Sequence, residues 1–294
     1  MIIILQKFNI EKIFFLPILA MKFGYINGEI KAIHDIQINP YDLGFLRGFA
    51  VCSVLRTTDS GKIFILQEQY DRVNNGAKAI GCDLGMSIKT FEKIIYTIIE
   101  KSNMTNAIIR IIVSGGVNND GTTVKGPSTV LIMAENYIKI PKEKYEKGVN
   151  VTFVEFRREY PEIKTTNYLK ALQHQELKNE KNAIEIIYTK NEEVFEGSMS
   201  NIFIIKNNII ITPENGCLPG TTRGLVLRLI EENNFTLEKR SITKTELLDS
   251  DEAFLTAANK NILPIFSVND IQIGKANPIT KQLMQIRDDF ELNY

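Results

Sequence analysis

Cysteine is scarce. Cys52, Cys82 and Cys217 are the only three among 294 residues, odd in number and widely spaced, with no Cys-x-x-Cys pair. That argues against a disulfide framework and a thiolate metal centre, and it points to a reducing compartment. Histidine is scarcer still, with only His34 and His174. Two distant histidines exclude a His-rich zinc centre and leave few partners for a His-based triad, so each reads as a surface or structural residue. No charge sign dominates either, because 35 Lys plus Arg face 35 Asp plus Glu. Nothing announces a nucleic-acid footprint or a polybasic membrane patch, and a small-molecule partner is expected. Residues 1–20 form an apolar N-terminal extension, but Lys7, Glu11 and Lys12 interrupt it and its uncharged stretch Ile13–Met21 is too short to span a bilayer. No small-x-small cleavage site follows Phe14-Phe15-Leu16, so no membrane segment is expected and the location read from the sequence is cytoplasmic. Met21 is an alternative start, since Met21–Glu29 already reads as strand, turn, strand.

What is present is an ordinary globular mix, 44% apolar and 24% charged, long enough for about two domains. A β-prone run over Val51–Thr57, a turn at Asp59-Ser60-Gly61 and Lys62–Ile65 predict a hairpin. Two amphipathic helices follow, one with Leu66, Tyr70, Val73, Ala77 and Ile80 on its apolar face, the next with Ile88, Phe91, Ile94, Ile95 and Ile98. Strands at Ala107–Val113 and Thr129–Met133 flank a Gly- and Asn-rich loop over 115–126, completing a small α/β domain over 21–135. The polar stretch 136–148, cut by Pro141 and closed by Gly148, reads as an interdomain linker. Beyond it, 149–294 reads as a larger, strand-rich domain. Strands fall at Val149–Phe156, Ala183–Tyr188, Asn201–Ile205 and Ile209–Thr212, a helix at Thr222–Asn233, and Thr243 with Glu246 forms a capping box for a short helix.

The sequence has no GxxxxGK[ST], no GxGxxG after a strand and no HExxH. The chemistry-bearing candidates are therefore dispersed: Arg72, Lys164, Glu196 and the Thr221-Thr222 pair. Singly, each has a plain structural explanation. Arg72 sits beside an apolar helix face where a solvated arginine is ordinary, Glu196 precedes what reads as a turn, and Thr221-Thr222 reads as a helix N-cap.

Their joint order carries more. Tyr25-Ile26-Asn27-Gly28-Glu29, Asp42-Leu43-Gly44-Phe45-Leu46-Arg47-Gly48 and Glu68-Gln69-Tyr70-Asp71-Arg72-Val73 lie in the first domain. Glu162-Ile163-Lys164-Thr165-Thr166-Asn167-Tyr168-Leu169, Glu196-Gly197-Ser198-Met199-Ser200-Asn201-Ile202-Phe203 and Leu218-Pro219-Gly220-Thr221-Thr222-Arg223 lie in the second. In these segments, from Tyr25 to about Gly274, the chain resembles the class IV, fold-type IV pyridoxal-phosphate enzymes: branched-chain aminotransferases, D-amino acid transaminases and aminodeoxychorismate lyases.

The resemblance implies a two-domain α/β fold, pyridoxal 5'-phosphate as cofactor, and a homodimer with its site near the domain and subunit interface. It implies that Lys164 carries the cofactor covalently and acts in proton transfer, that Glu196 pairs with the pyridine nitrogen, and that Arg72 with the amides around Thr221 and Thr222 holds the phosphate. The turn Leu255-Thr256-Ala257-Ala258-Asn259 resembles one whose amides face phosphate or carboxylate, so Ala257 and Ala258 are expected at substrate, and Ala258 also at cofactor, through backbone alone. Arg110 resembles the strand arginine of branched-chain enzymes, with Ile108 in place of their tyrosine, and Tyr168 is placed among the substrate-binding residues. Ser114-Gly115-Gly116 lacks the arginine that D-amino acid transaminases use in this region. The implied activity is transfer of an amino group between an amino acid, branched-chain and L in the first instance, and a 2-oxo acid such as 2-oxoglutarate. Phe49-Ala50-Val51-Cys52-Ser53 departs from the family pattern, since Ser53 stands where an acid is expected. That leaves 4-amino-4-deoxychorismate lyase as an alternative, with a D-amino acid transaminase or an inactive member behind it.

Overall fold

The computed structural model describes residues 23–274 and 277–294. The N-terminal extension and the alternative start at Met21 lie outside these residues. In chain order the elements are β1 (Phe23–Ile26), β2 (Glu29–Ala32), α1 (Leu43–Arg47), β3 (Ala50–Arg56), α2 (Leu66–Ala79), α3 (Ile88–Lys101), β4 (Ala107–Ser114), β5 (Thr129–Asn136), α4 (Lys142–Lys147), β6 (Val149–Glu155), α5 (Leu169–Gln173), α6 (Gln175–Glu180), β7 (Ala183–Lys190), β8 (Glu193–Gly197), β9 (Asn201–Lys206), β10 (Ile209–Thr212), α7 (Thr221–Glu232), β11 (Thr236–Lys239), β12 (Ile242–Thr243), α8 (Lys244–Leu248), β13 (Glu252–Ala257), β14 (Asn261–Val268), β15 (Ile271–Gln272) and α9 (Pro278–Leu292).

The first sheet has five strands in the order β2-β1-β5-β4-β3, every pair antiparallel. Side chains alternate across it. Ile109, Ile111 and Val113 of β4 and Val51 and Leu55 of β3 point to one face and pack with Val73 and Ala77 of α2 and Phe91, Ile95 and Ile98 of α3. On β4, Ile108, Arg110 and Ile112 fall on the opposite face, beside Cys52 and Val54 of β3. That second face is free to line a cavity.

The two predicted helices match α2 and α3. The predicted hairpin forms only its turn. Thr57 bridges Ile63 and Thr58 N donates to Lys62 O at 2.8 Å, but Ile65 takes φ of 45° and the chain enters α2 instead of continuing as a strand. β3 instead finds its antiparallel partner in β4, over its whole length.

The second sheet has ten strands, ordered β11-β10-β9-β13-β14-β6-β7-β8-β12, with β15 on β14. It is mixed, with parallel pairing of β6 to β7, β6 to β14 and β10 to β11. Its central strands are apolar on both faces because both are covered. Ile202, Ile204, Leu255 and Leu263 fill one core, while Phe203, Phe254 and Ile262 pack on the other side against Val226 and Ile230 of α7 and Leu283 of α9. Phe203 and Phe254 stack with ring centroids 4.8 Å apart. Only half of the expected capping box forms: Thr243 Oγ1 accepts from Glu246 N at 3.0 Å, but the Glu246 carboxylate binds Arg240 instead of reaching back to Thr243 N. The segment 136–148 contains α4, and Tyr145 of that helix donates to the Lys260 carbonyl at 3.0 Å. Among the described residues no helix is long and apolar enough to cross a membrane.

Candidate active site

A cavity of about 510 Å³ opens where the free face of the first sheet meets the second. β3 is the edge strand of the first sheet, and its open side pairs with the segment that carries Lys164: Cys52 N donates to Lys164 O at 2.8 Å and Thr166 N to Ala50 O at 3.1 Å. Lys164 is thereby fixed in the cavity wall by backbone. Its Nζ donates to Tyr168 Oη at 2.8 Å. Burial pulls the Lys164 amine below the usual lysine value, and the positive charges of Arg72 and Arg158 add to this against the opposing pull of Cys52 and Glu196. The same burial pushes the Tyr168 phenol up, so it stays neutral.

Glu196 sits on β8, opposite Tyr188 of β7, and is 4% exposed. One carboxylate oxygen accepts from Arg158 Nε at 2.6 Å and the other from Leu218 N at 2.8 Å. Burial raises its carboxyl pKa, while Arg158 and the Leu218 amide draw it back down. The next residue must be small. A Cβ on Gly197 would collide with the Ser200 hydroxyl and crowd the Glu185 carboxyl. Glu185 itself is buried and fully engaged, accepting from Ser198 Oγ at 2.7 Å, Met199 N at 2.5 Å and Ser200 Oγ at 2.9 Å, and pairing with Lys260 Nζ at 2.7 Å.

At the cavity's other end lies a cradle built for an anion. Arg72 reaches Ser53 Oγ at 2.8 Å and Gln69 Oε1 at 2.7 Å with one terminal nitrogen and Thr221 Oγ1 at 3.3 Å with the other. Gln69 Nε2 donates to the same Thr221 hydroxyl at 2.9 Å. Burial draws the Arg72 guanidinium down to about 10, which leaves it charged near neutral pH. Two buried polar atoms here have no partner among the described residues, Arg72 Nε and Thr256 Oγ1. The N-terminus of α7 faces the same space, and Gly220 at its cap offers no side-chain acceptor to its first-turn amides. A Cβ on Gly220 would strike the Asn201 side chain, which explains the glycine.

Arg72, Lys164, Glu196, Thr221, Thr222, Tyr168, Arg110, Ala257 and Ala258, dispersed over much of the chain, all line this one cavity. Arg110 stands at an exposed stretch of the wall, paired with Glu135 of β5. The Ala258 carbonyl is committed to Arg56 Nε at 3.1 Å. Two positions before Ala258, Thr256 brings a hydroxyl to the cavity lining. Ser53 is buried and serves Arg72, so its missing charge bears on the cradle's hydrogen bonds.

Sequence reasoning missed Arg158, Gln69 and Thr256. Gln69 carried a usable signal, since it lies one helical turn before Arg72. Arg158 carried none, because its link to Glu196 crosses between separate segments.

Residues 52–268 match the family described as amino-transferase class IV. A protein of Methanocaldococcus jannaschii named as a branched-chain-amino-acid aminotransferase is 29% identical over 276 residues, covering 89% of this chain and 93% of its own. A D-alanine aminotransferase of Staphylococcus aureus is 27% identical, covering 89% and 95%. The crystal structure of the Escherichia coli branched-chain amino acid aminotransferase aligns with a TM-score of 0.82 at 26% identity, over 90% of this chain and 93% of that one. With the mixed two-sheet fold and the lysine, carboxylate and anion cradle in one cavity, these matches place the chain in the class IV aminotransferase family.

Proposed function

We propose that this protein is a pyridoxal-phosphate-dependent transaminase that moves an amino group between branched-chain L-amino acids and a 2-oxo acid such as 2-oxoglutarate. The observation that carries the reading is the placing of an amine with lowered pKa, a buried carboxylate and an anion cradle around one cavity. The residues present fit the cofactor, because Arg72 Nε and Thr256 Oγ1 are buried donors awaiting an acceptor at the N-terminus of α7, as a phosphate group requires. When bound, pyridoxal phosphate supplies the electron sink for the bond that breaks at the substrate α-carbon.

The chain's own residues do the rest. Lys164 would hold the cofactor through its side-chain amine, and that amine, drawn below the usual lysine value, would move a proton between the substrate α-carbon and the cofactor's C4′ carbon. Tyr168 orients that amine. Glu196, held by Arg158 and Leu218 N, would pair with the ring nitrogen of the bound cofactor. Arg72, Thr221, Thr222 and Thr256, with backbone near Ala258, would hold the phosphate group. Val54, Ile108 and Ile112 give the substrate side an apolar wall suited to a branched aliphatic group, Arg110 stands at its exposed part, and Ala257 and Ala258 offer backbone to the α-carboxylate.

Family membership supports a homodimer working in the cytoplasm. The division of the two sheets supports a small domain over 21–135, a linker over 136–148 and a large domain over 149–294.

A half-reaction screen tests the activity. Purified holoenzyme is mixed with single L- and D-amino acids while the conversion of bound pyridoxal to the pyridoxamine form is followed by absorbance. Leucine, isoleucine and valine in the L form are expected to convert it fully. Conversion by D-alanine alone, or pyruvate release from 4-amino-4-deoxychorismate without any conversion by amino acids, replaces this reading.

A further inference from the structure

A second cavity, of about 630 Å³, lies beyond the turn that joins β13 to β14. Ala257 and Ala258 at one end of that turn line the catalytic cavity, and Asn261 and Ile262 at the other end line this one. Its remaining walls come from the end of β3, the segment from Tyr137 to Glu146, and α9. On α9, Lys281, Met284, Asp288 and Glu291 recur at spacings of three and four and so present a single stripe to the cavity.

The charges here are not evenly matched. Arg56 and Arg287 are 4% and 2% exposed, and they share one carboxylate. Arg56 grips both oxygens of Glu291 at 2.6 Å each, and Arg287 also bonds to Glu291. Arg287 reaches the exposed Asp288 with its other terminal nitrogen, yet its buried Nε has no partner among the described residues. Lys139 pairs with Asp59 and Lys142 with Glu146. Lys281 is thus the one cation of the lining with no ion pair among the described residues. A buried guanidinium N–H without an acceptor is costly, and a carboxylate is the acceptor whose geometry suits it. Beside these cations, the partly buried Ile140 and Met284 form an apolar patch.

We propose that this cavity is a second ligand site, separate from the catalytic one, that takes a small monocarboxylate with an apolar body. The carboxylate lies toward Arg287 in the positive field of Lys281, and the apolar body lies on Ile140 and Met284. The site is joined to the catalytic cavity by Arg56, which forms part of this wall and donates to the Ala258 carbonyl.

The test uses holoenzyme and 4-fluorophenylacetate, with binding followed by fluorine NMR. Saturable binding is expected, with the neutral 4-fluorophenylacetamide about tenfold weaker or more. Lys281→Gln weakens the acid severalfold, Arg287→Gln weakens it about tenfold, and Met284→Trp, which fills the cavity, abolishes binding. Val54→Phe, which fills the catalytic cavity, leaves it unchanged. Absence of binding, equal affinity for acid and amide, or loss of binding in Val54→Phe but not in Met284→Trp overturns the proposal. Should Arg287→Gln fail to fold, Lys281→Gln and Met284→Trp decide it, and unchanged binding in both is contrary.

Discussion

Arg158 places its Nε 2.6 Å from Glu196 Oε1, and with its terminal nitrogens it binds the carbonyls of Pro161 and Ile163, just ahead of Lys164. One guanidinium therefore fixes both the carboxylate proposed to face the cofactor ring and the segment that delivers the reactive amine. It also opposes the burial that raises the Glu196 carboxyl.

Arg158→Met removes that opposition, so the Glu196 carboxyl rises further. A carboxyl with a raised pKa becomes ionised only above that pKa, so activity that depends on the carboxylate is lost as pH falls through it. The acid limb of kcat/KM is expected to move to higher pH in Arg158→Met, with activity at pH 7 down roughly tenfold or more, and to return toward the parent profile in Arg158→Lys. A profile that does not move assigns Arg158 a purely structural role.

Thr256→Val gives a prediction of two signs. The buried hydroxyl lacks a partner among the described residues, so its removal stabilises the cofactor-free protein or leaves it unchanged. A phosphate oxygen would lose a charge-assisted hydrogen bond of about 1.5–3 kcal/mol, so cofactor affinity falls by roughly tenfold or more. Thermal melting without cofactor and cofactor titration separate the two effects.

Arg110→Ala probes the acceptor side. Arg110 has a rim position and a single surface partner, Glu135, so its loss has little effect on folding. KM for 2-oxoglutarate is expected to rise about tenfold, while KM for 4-methyl-2-oxopentanoate, which has no second carboxylate, changes little. Equal changes for both acids exclude a specific contact.

Lys260→Met strands Glu185 in the core. Burial acts to raise the Glu185 carboxyl, but Lys260 with the Ser198 and Ser200 hydroxyls holds it below the usual value. A depressed carboxyl stabilises the fold above its unfolded pKa, about 4.3, and that contribution is lost as pH falls through the folded value. Lys260→Met is expected to cost about 3–5 kcal/mol near neutral pH. The deficit shrinks toward pH 4, where the stranded carboxyl is protonated. A deficit independent of pH contradicts the assignment.

Local pattern made much of this legible in advance. The apolar periodicity of α2 and α3, the helix N-cap at Thr243 and the β4 and β5 strands each depend on neighbours in sequence, and each formed as read, whereas the Glu246 half of the capping box went to Arg240. The hairpin at Val51–Ile65 failed because the competing partner, β4, lies some fifty residues away in sequence. The bend expected after Glu196 is present at Ser198–Ser200, whereas β8 leading into it was not read, because its strand character comes from pairing with β7. β13, β14 and α9 went unread. The site shows the same division. Lys164, Glu196 and Arg72 stood out by their order along the chain, whereas Arg158, Gln69 and Thr256 acquire their meaning only from what the fold brings beside them.

The most direct test of the account is borohydride reduction of the holoenzyme followed by peptide mapping. The account predicts a single phosphopyridoxyl label on Lys164 and its complete loss in Lys164→Ala. A label on another lysine, or none in protein that has taken up the cofactor, contradicts it.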